Sequence, residues 1–197
     1  MTFDSAELIV SNVAAWRSWL AERRADSDGV WLVLAKKGTT LPTSLTYEQA
    51  LEEALCWGWV DGRLARRDDG TFRRRFSPRR AGSAWSKRNI AIIERLTADG
   101  RMRPAGLRVV ERAKDDGTWD AGYGGAASSE VPDDLERALA ANPRASKTFA
   151  LLDKANRYSI LYRVTTARRP DTRARRIERL VDKLAQGNVI HAEPKGR

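Results

Sequence analysis

Behind Ser11 and Asn12, the apolar residues Val13, Trp16 and Leu20 recur at three- and four-residue spacing, which predicts a helix capped by one of the two polar residues and running to about Arg24. The run from Gly29 through Ala35 is short, apolar and rich in β-formers, and Lys36-Lys37-Gly38 ends it. It reads as a strand covered on both faces. Thr46 precedes a helix from Tyr47 to about Cys56, with Glu48, Glu52 and Glu53 on it and Leu51, Ala54 and Leu55 as its buried stripe; Gly58 stops it. Trp59 to Leu64 and Thr71 to Phe76 then alternate around Asp68-Asp69-Gly70, the pattern of a β-hairpin.

Strand periodicity assigns faces within that hairpin. Phe72, Arg74 and Phe76 share one face, opposite Arg73 and Arg75; Trp59, Asp61 and Arg63 share another, opposite Val60 and Leu64. With the phenylalanines inward, Arg74 needs an anionic partner there, and Asp61 is the nearest candidate in sequence. Ser77-Pro78 ends the second strand, and an irregular link leads into a helix over about 86–96 striped by Ile90, Ile93 and Leu96. A further helix begins near Pro104 and ends at Asp116-Gly117.

After a stretch of glycine and serine the chain becomes purely helical. Segments 132–141, 143–154, a third capped by Asn156 and running to Arg168, and a fourth from Pro170 to about Gln186 form a compact bundle or cap. The organisation expected is an α+β domain over 1–120, a linker over 121–131 and a helical region over 132–190. The three strands near 29–36, 58–65 and 71–77 make a small, mostly antiparallel sheet flanked by helices.

Charge changes this picture at one place. Between Arg63 and Arg88 there are ten basic residues against two acidic ones, a net +8 out of +10 for the 197-residue chain. Such a balance suits anionic partners: nucleic acid, a phosphate-bearing molecule or an anionic membrane surface. Trp85 stands between Arg79-Arg80 and Lys87-Arg88, either as an exposed stacking platform or packed onto the hairpin, and Ser86 as a cap would turn the first amides of its helix, with Lys87 and Arg88, toward the arginine-rich loop. The binding surface predicted is Arg63, Arg73, Arg75, Arg79, Arg80, Trp85, Ser86, Lys87 and Arg88, backed by Trp57, Trp59, Asp61 and Arg74. A second cluster of Arg168, Arg169, Arg173, Arg175, Arg176 and Arg179 against Asp171 and Glu178 carries a net +4.

Several chemistries find no support. The sole histidine, His191, lies in the terminal stretch, so Ser–His–Asp and Cys–His arrangements are poor fits, and no dinucleotide fingerprint or Walker-type loop occurs. A single cysteine, Cys56, on the apolar end of a helix reads as a core residue in a reducing compartment. No cofactor, metal or catalytic residue is expected. The lack of a long apolar run predicts a soluble, cytoplasmic protein.

The run Glu53-Ala-Leu-Cys-Trp-Gly-Trp-Val-Asp-Gly62, then Arg75-Phe-Ser-Pro-Arg-Arg80 and Trp85-Ser-Lys-Arg-Asn89, resembles the bacterial YdeI/OmpD-associated proteins linked to bacteriocin protection. The likeness continues through Gly100-Arg-Met-Arg-Pro-Ala-Gly106, Asn156-Arg-Tyr158 and Pro170-Asp-Thr-Arg-Ala-Arg-Arg-Ile177. It implies a cytoplasmic bacterial protein connected with stress or antimicrobial tolerance, and it names no reaction. Many bacteriocins are cationic, and a chain of net +10 repels cations, which disfavours direct sequestration. The function expected is therefore a non-enzymatic protein that binds an anionic ligand through the Arg/Trp surface. Two rivals stand beside it: nonspecific nucleic-acid binding that adds Arg173, Arg175 and Arg176, and a small-molecule enzyme or resistance protein with a pocket between Trp57, Trp59, Asp61 and the arginine loop.

Overall fold

A computed structural model describes residues 7–124, 130–167 and 169–188. The core of the expected linker, 125–129, together with Arg168 and the tail bearing His191, lies outside the described residues. The chain divides into two compact units: Met1–Trp85 with Asn89–Ala121, and Ser86–Arg88 with Gly122–Arg197.

The first unit is α+β. Its elements are β1 (Glu7–Leu8), α1 (Val13–Arg23), β2 (Val30–Ala35), α2 (Tyr47–Cys56), β3 (Trp59–Arg66), β4 (Thr71–Pro78), most of α3 (Lys87–Ala98) and α4 (Pro104–Asp115). The caps follow the sequence signals. The Asn12 side chain accepts from the Ala15 amide, and Thr46 and Gln49 form a reciprocal capping box at the start of α2. The sheet order is β1-β2-β4-β3. β2, β4 and β3 are antiparallel, as expected of a mostly antiparallel sheet, and the unanticipated β1 joins β2 in parallel, which makes the sheet mixed. Two residues are too short a run to carry an alternation signal.

Paired residues share a face of the sheet. Leu32, Leu34, Phe72 and Phe76 therefore lie on the face that meets α1 and α2, in a core with Trp16, Leu20, Leu51, Leu55 and Trp59. Trp31 pairs with Arg75 and Val33 with Arg73 on the opposite face. Val33 is as fully buried as the core leucines, which agrees with a strand covered on both sides. The hairpin turn is tied by Asp68, whose carboxylate accepts from the amides of Gly70 and Thr71 and from the Thr71 hydroxyl. A register shift between Asp61 and Leu64 corrects the face assignment: Asp61 opposes Phe76 and Leu64 opposes Arg74, so both now lie on the Arg74 side.

Gly106 lets α4 approach the end of α2. A Cβ there would stand 2.3 Å from the Cys56 carbonyl oxygen, closer than any carbon tolerates. All seven tryptophans belong to this unit.

The second unit is helical: α5 (Asp133–Ala140), α6 (Pro143–Ala150), α7 (Lys154–Thr165) and α8 (Pro170–Ala185). Leu135, Phe149, Ile160, Leu161, Val164, Ile177, Leu180 and Leu184 fill a core of its own. Asp153 caps α7 through the Asn156 amide, and Asn156 itself is buried one turn in, so the cap lies three residues earlier than expected. A bidentate pair from Arg173 to Asp134 ties α8 to α5.

Candidate functional site

Strand alternation along β4 sends Arg75 and Ser77 to the same side, and the loop after Pro78 brings Arg79, Arg80 and Ser83 round to meet them. Together with Asp28, Val60 and Pro78 these side chains line an open groove of about 630 Å³. Three arginines face a single carboxylate there, so the groove is net positive.

Two of the three guanidinium groups are positioned by neighbours. The Arg79 guanidinium lies 3.5 Å from the centroid of the Trp85 ring and donates to the Ser83 and Ala84 carbonyls, closing the loop on itself. Arg75 donates to the Asp28 carbonyl at 3.3 Å and runs beside Gly29. Gly29 has φ +125°, and a Cβ on it would lie 2.5 Å from the Phe76 carbonyl oxygen and 3.0 Å from the Arg75 guanidinium carbon. Only glycine admits this approach. Arg80 is exposed, and its backbone carbonyl accepts from the Ser83 hydroxyl.

The remaining predicted residues go elsewhere. Arg73 pairs with Glu7 and lies over Trp31, and Arg67 shares the same Glu7 carboxylate. Arg63 is exposed within the register shift of β3. Arg74 meets Asp61 at 2.7 Å and stacks on Tyr47, whose hydroxyl donates to the same Asp61 oxygen. That is the counter-charge the inward arginine required.

Trp85 corrects the expectation of an exposed stacking platform. It is 3% exposed, packed edge-on against Trp119 and covered by Arg79, so its indole supports the loop from beneath. At the start of α3, Ser86 forms a bridge with Tyr123, and the Lys87 amide donates to the Tyr123 carbonyl. The first amide of that helix is thus already satisfied, while the Lys87 and Arg88 side chains are exposed. Trp59 is buried, and Trp57 is flanked by the Arg24 and Arg103 guanidinium groups at 4.2 and 5.7 Å. None of Trp57, Trp59 and Asp61 lines the groove.

The carboxylates of α2 form a separate network. Glu53, almost wholly buried, accepts from Arg17 and Arg101, and Glu52 accepts from Arg95 and Arg101. Burial alone would raise the Glu53 carboxyl, but the hydrogen bonds from Arg17 and Arg101 outweigh it and hold it below the usual carboxylate range. Both acids are therefore ionised and fully engaged. Next to them the Cys56 thiol is pushed up to about 11, first by burial and then by the charge of Glu53, so it is a neutral core group.

Residues 8–109, slightly more than half of the chain, match the family model described as Domain of unknown function (DUF8412). The chain belongs to that family. Residues 128–187 match a second model, described as Bacteriocin-protection, YdeI or OmpD-Associated, which is the family the sequence motifs resembled. The motifs divide between the two. Asn156-Arg-Tyr158 and Pro170 to Ile177 fall in the YdeI/OmpD-associated match, whereas Glu53 to Gly62, Arg75 to Arg80, Trp85 to Asn89 and Gly100 to Gly106 fall in the other. No match was found among curated proteins or among solved structures. Among the described residues no helix is long and apolar enough to cross a membrane.

Asp28, Val60, Ser77 and Ser83 were not anticipated. Ser77 was legible in principle, because it stands two residues from Arg75 on one strand. Asp28 was not, since only the pairing of β2 with β4 brings it alongside.

Proposed function

We propose that this chain is a non-enzymatic binding protein of the YdeI/OmpD-associated type, connected with antimicrobial or stress tolerance, which takes an anionic ligand in the groove of the first unit. The ligand lies among Arg75, Arg79 and Arg80, with the Ser77 hydroxyl as a further donor. The observation that carries this reading is the groove itself: three guanidinium groups converge on one concavity, and two of them are already oriented by Trp85, by backbone carbonyls and by the close approach at Gly29. Orientation in advance lowers the entropy lost on binding. Guanidinium forks match carboxylate and phosphate oxygens in pairs, which favours a compact oxyanion over a diffuse surface contact.

Thermal unfolding of the full chain in the presence of inorganic phosphate, mononucleotides or anionic lipid vesicles tests the reading. A ligand at about 100 times its Kd adds roughly 2.7 kcal/mol to the folded state. At least one of these anions should raise the melting temperature, and Arg80→Ala, at an exposed position, should remove most of the rise without altering the circular dichroism. Failure of every anion to shift the transition, or a full shift in an Arg75→Ala/Arg80→Ala chain, overturns it.

A further inference from the structure

The second unit carries a cationic groove of its own, between the end of α7 and the middle of α8. It has a volume of about 580 Å³ and is lined by Tyr162, Arg163, Thr166, Arg176, Arg179, Leu180 and Lys183, four cations and no carboxylate. This is within the size range of small-molecule sites.

The arrangement follows from helix geometry. Arg176, Arg179 and Lys183 recur at three- and four-residue spacing, so they project from one face of α8, and Leu180 in the same stripe anchors that face to the core. The last carbonyls of α7 carry the negative end of its dipole and would compete for these cations. They are already answered: Arg176 donates to the Arg163 carbonyl at 2.7 Å, Arg173 to that of Val164 at 2.8 Å, and the Thr166 hydroxyl to that of Tyr162. Arg173 is spent on this and on Asp134, which removes it from the surface that the nucleic-acid rival assigned to it. Among the described residues no carboxylate lies within ion-pair distance of Arg163, Arg179 or Lys183. Tyr162, 37% exposed, forms the aromatic wall, and its ring is held edge-on against Tyr123 at 4.9 Å and beside Tyr158 at 6.0 Å.

We propose that this groove binds a nucleotide unit, with its phosphate on Arg163, Arg179 and Lys183 and its base against Tyr162. Cations that lack carboxylate partners beside a fixed ring match a ligand joining a phosphate to a planar aromatic group. The nucleotide is either free or part of a single strand. The site uses none of the residues of the first groove and does not depend on that reading.

The test titrates the full chain with thymidine monophosphate, inorganic phosphate and a fluorescein-labelled oligothymidylate. Arg179→Ala/Lys183→Ala should weaken nucleotide binding by about tenfold or more. If the strand binds, the same change should lower the steepness of its salt dependence by about 1.4 in log–log slope. Tyr162→Leu should weaken thymidine monophosphate by several-fold while leaving inorganic phosphate unchanged, and Tyr162→Phe should restore it. A strand that binds more tightly than the monophosphate places the nucleotide in a chain; equal affinities place it free in solution. Absence of binding to both overturns the proposal, as does unchanged affinity in the α8 double variant or phosphate binding as tightly as the nucleotide. Loss of binding on Arg75→Ala/Arg80→Ala would assign it to the first groove and overturn it equally. Arg80, Tyr162, Arg179 and Lys183 are exposed and Arg75 is partly so, and a folded circular dichroism spectrum is expected for every variant.

Discussion

Glu53 shows how one side chain can hold several elements. It lies on α2 and accepts from Arg17 on α1 and from Arg101 in the loop before α4. Glu53→Gln leaves two guanidinium groups short of their acceptor, and a loss of roughly 2 kcal/mol is expected in urea unfolding at neutral pH. The pH dependence has a definite sign. Because the folded-state carboxyl is held below its ordinary value, the stabilisation is complete above about pH 4.3, the unfolded glutamate value, and is lost as pH falls further toward the folded value. Unfolding midpoints measured from neutral pH into that range should therefore fall less steeply for Glu53→Gln than for the unaltered chain. Gly106→Ala is a backbone counterpart: its new methyl would meet the Cys56 carbonyl, and a loss of about 1–3 kcal/mol is expected in the same experiment.

Residue roles were legible in the sequence where a local rule demanded a partner. Arg74 on an apolar strand face had to find a counter-charge, and Asp61 supplies it. Trp85 followed the opposite course. Its arginine neighbours suggested exposure, but Trp119, remote in the chain, covers it, and Arg79 turns back onto it in place of facing a ligand alone.

At the scale of elements, boundaries came from caps and breakers, which act within a few residues. Thr46 with Gln49, Pro104, Pro170 and the glycine after each helix end explain why α2, α4 and α8 could be placed closely from sequence. What could not be read was pairing. Neither the parallel partner of β2 nor the shift that re-aims Leu64 leaves a mark on alternation. The Asp134–Arg173 pair is a test at this scale, since it joins the first and last helices of the second unit. Hydrogen bonding from Arg173 holds the Asp134 carboxyl below its usual range. Asp134→Asn should cost about 1 kcal/mol, because the pair is part-exposed, and hydrogen exchange should quicken in α5 before it does in α7.

For the molecule as a whole, charge is divided between two separate cationic grooves, each built on its own core. Composition announced an excess of basic residues but not how many would be consumed internally. Glu7, Glu52, Glu53, Asp61 and Asp134 each hold one or more arginines, while Arg75, Arg79 and Arg80 line one groove and Arg163, Arg176, Arg179 and Lys183 the other. Since all seven tryptophans lie in the first unit, indole fluorescence reports that unit alone, while circular dichroism reports both. Glu53→Gln should shift the fluorescence transition, and Asp134→Asn should shift chiefly the dichroic one.

The path of the chain through Ser86–Arg88 bears on how the protein can be dissected. These three residues lie far upstream of Tyr123, yet the Lys87 amide is satisfied by the Tyr123 carbonyl. A scissors cut at position 121 therefore does not yield two finished halves: the upstream fragment keeps a short stretch whose acceptor has gone with the downstream one. An upstream fragment produced alone must hand that amide to water, and producing both fragments together restores its native acceptor.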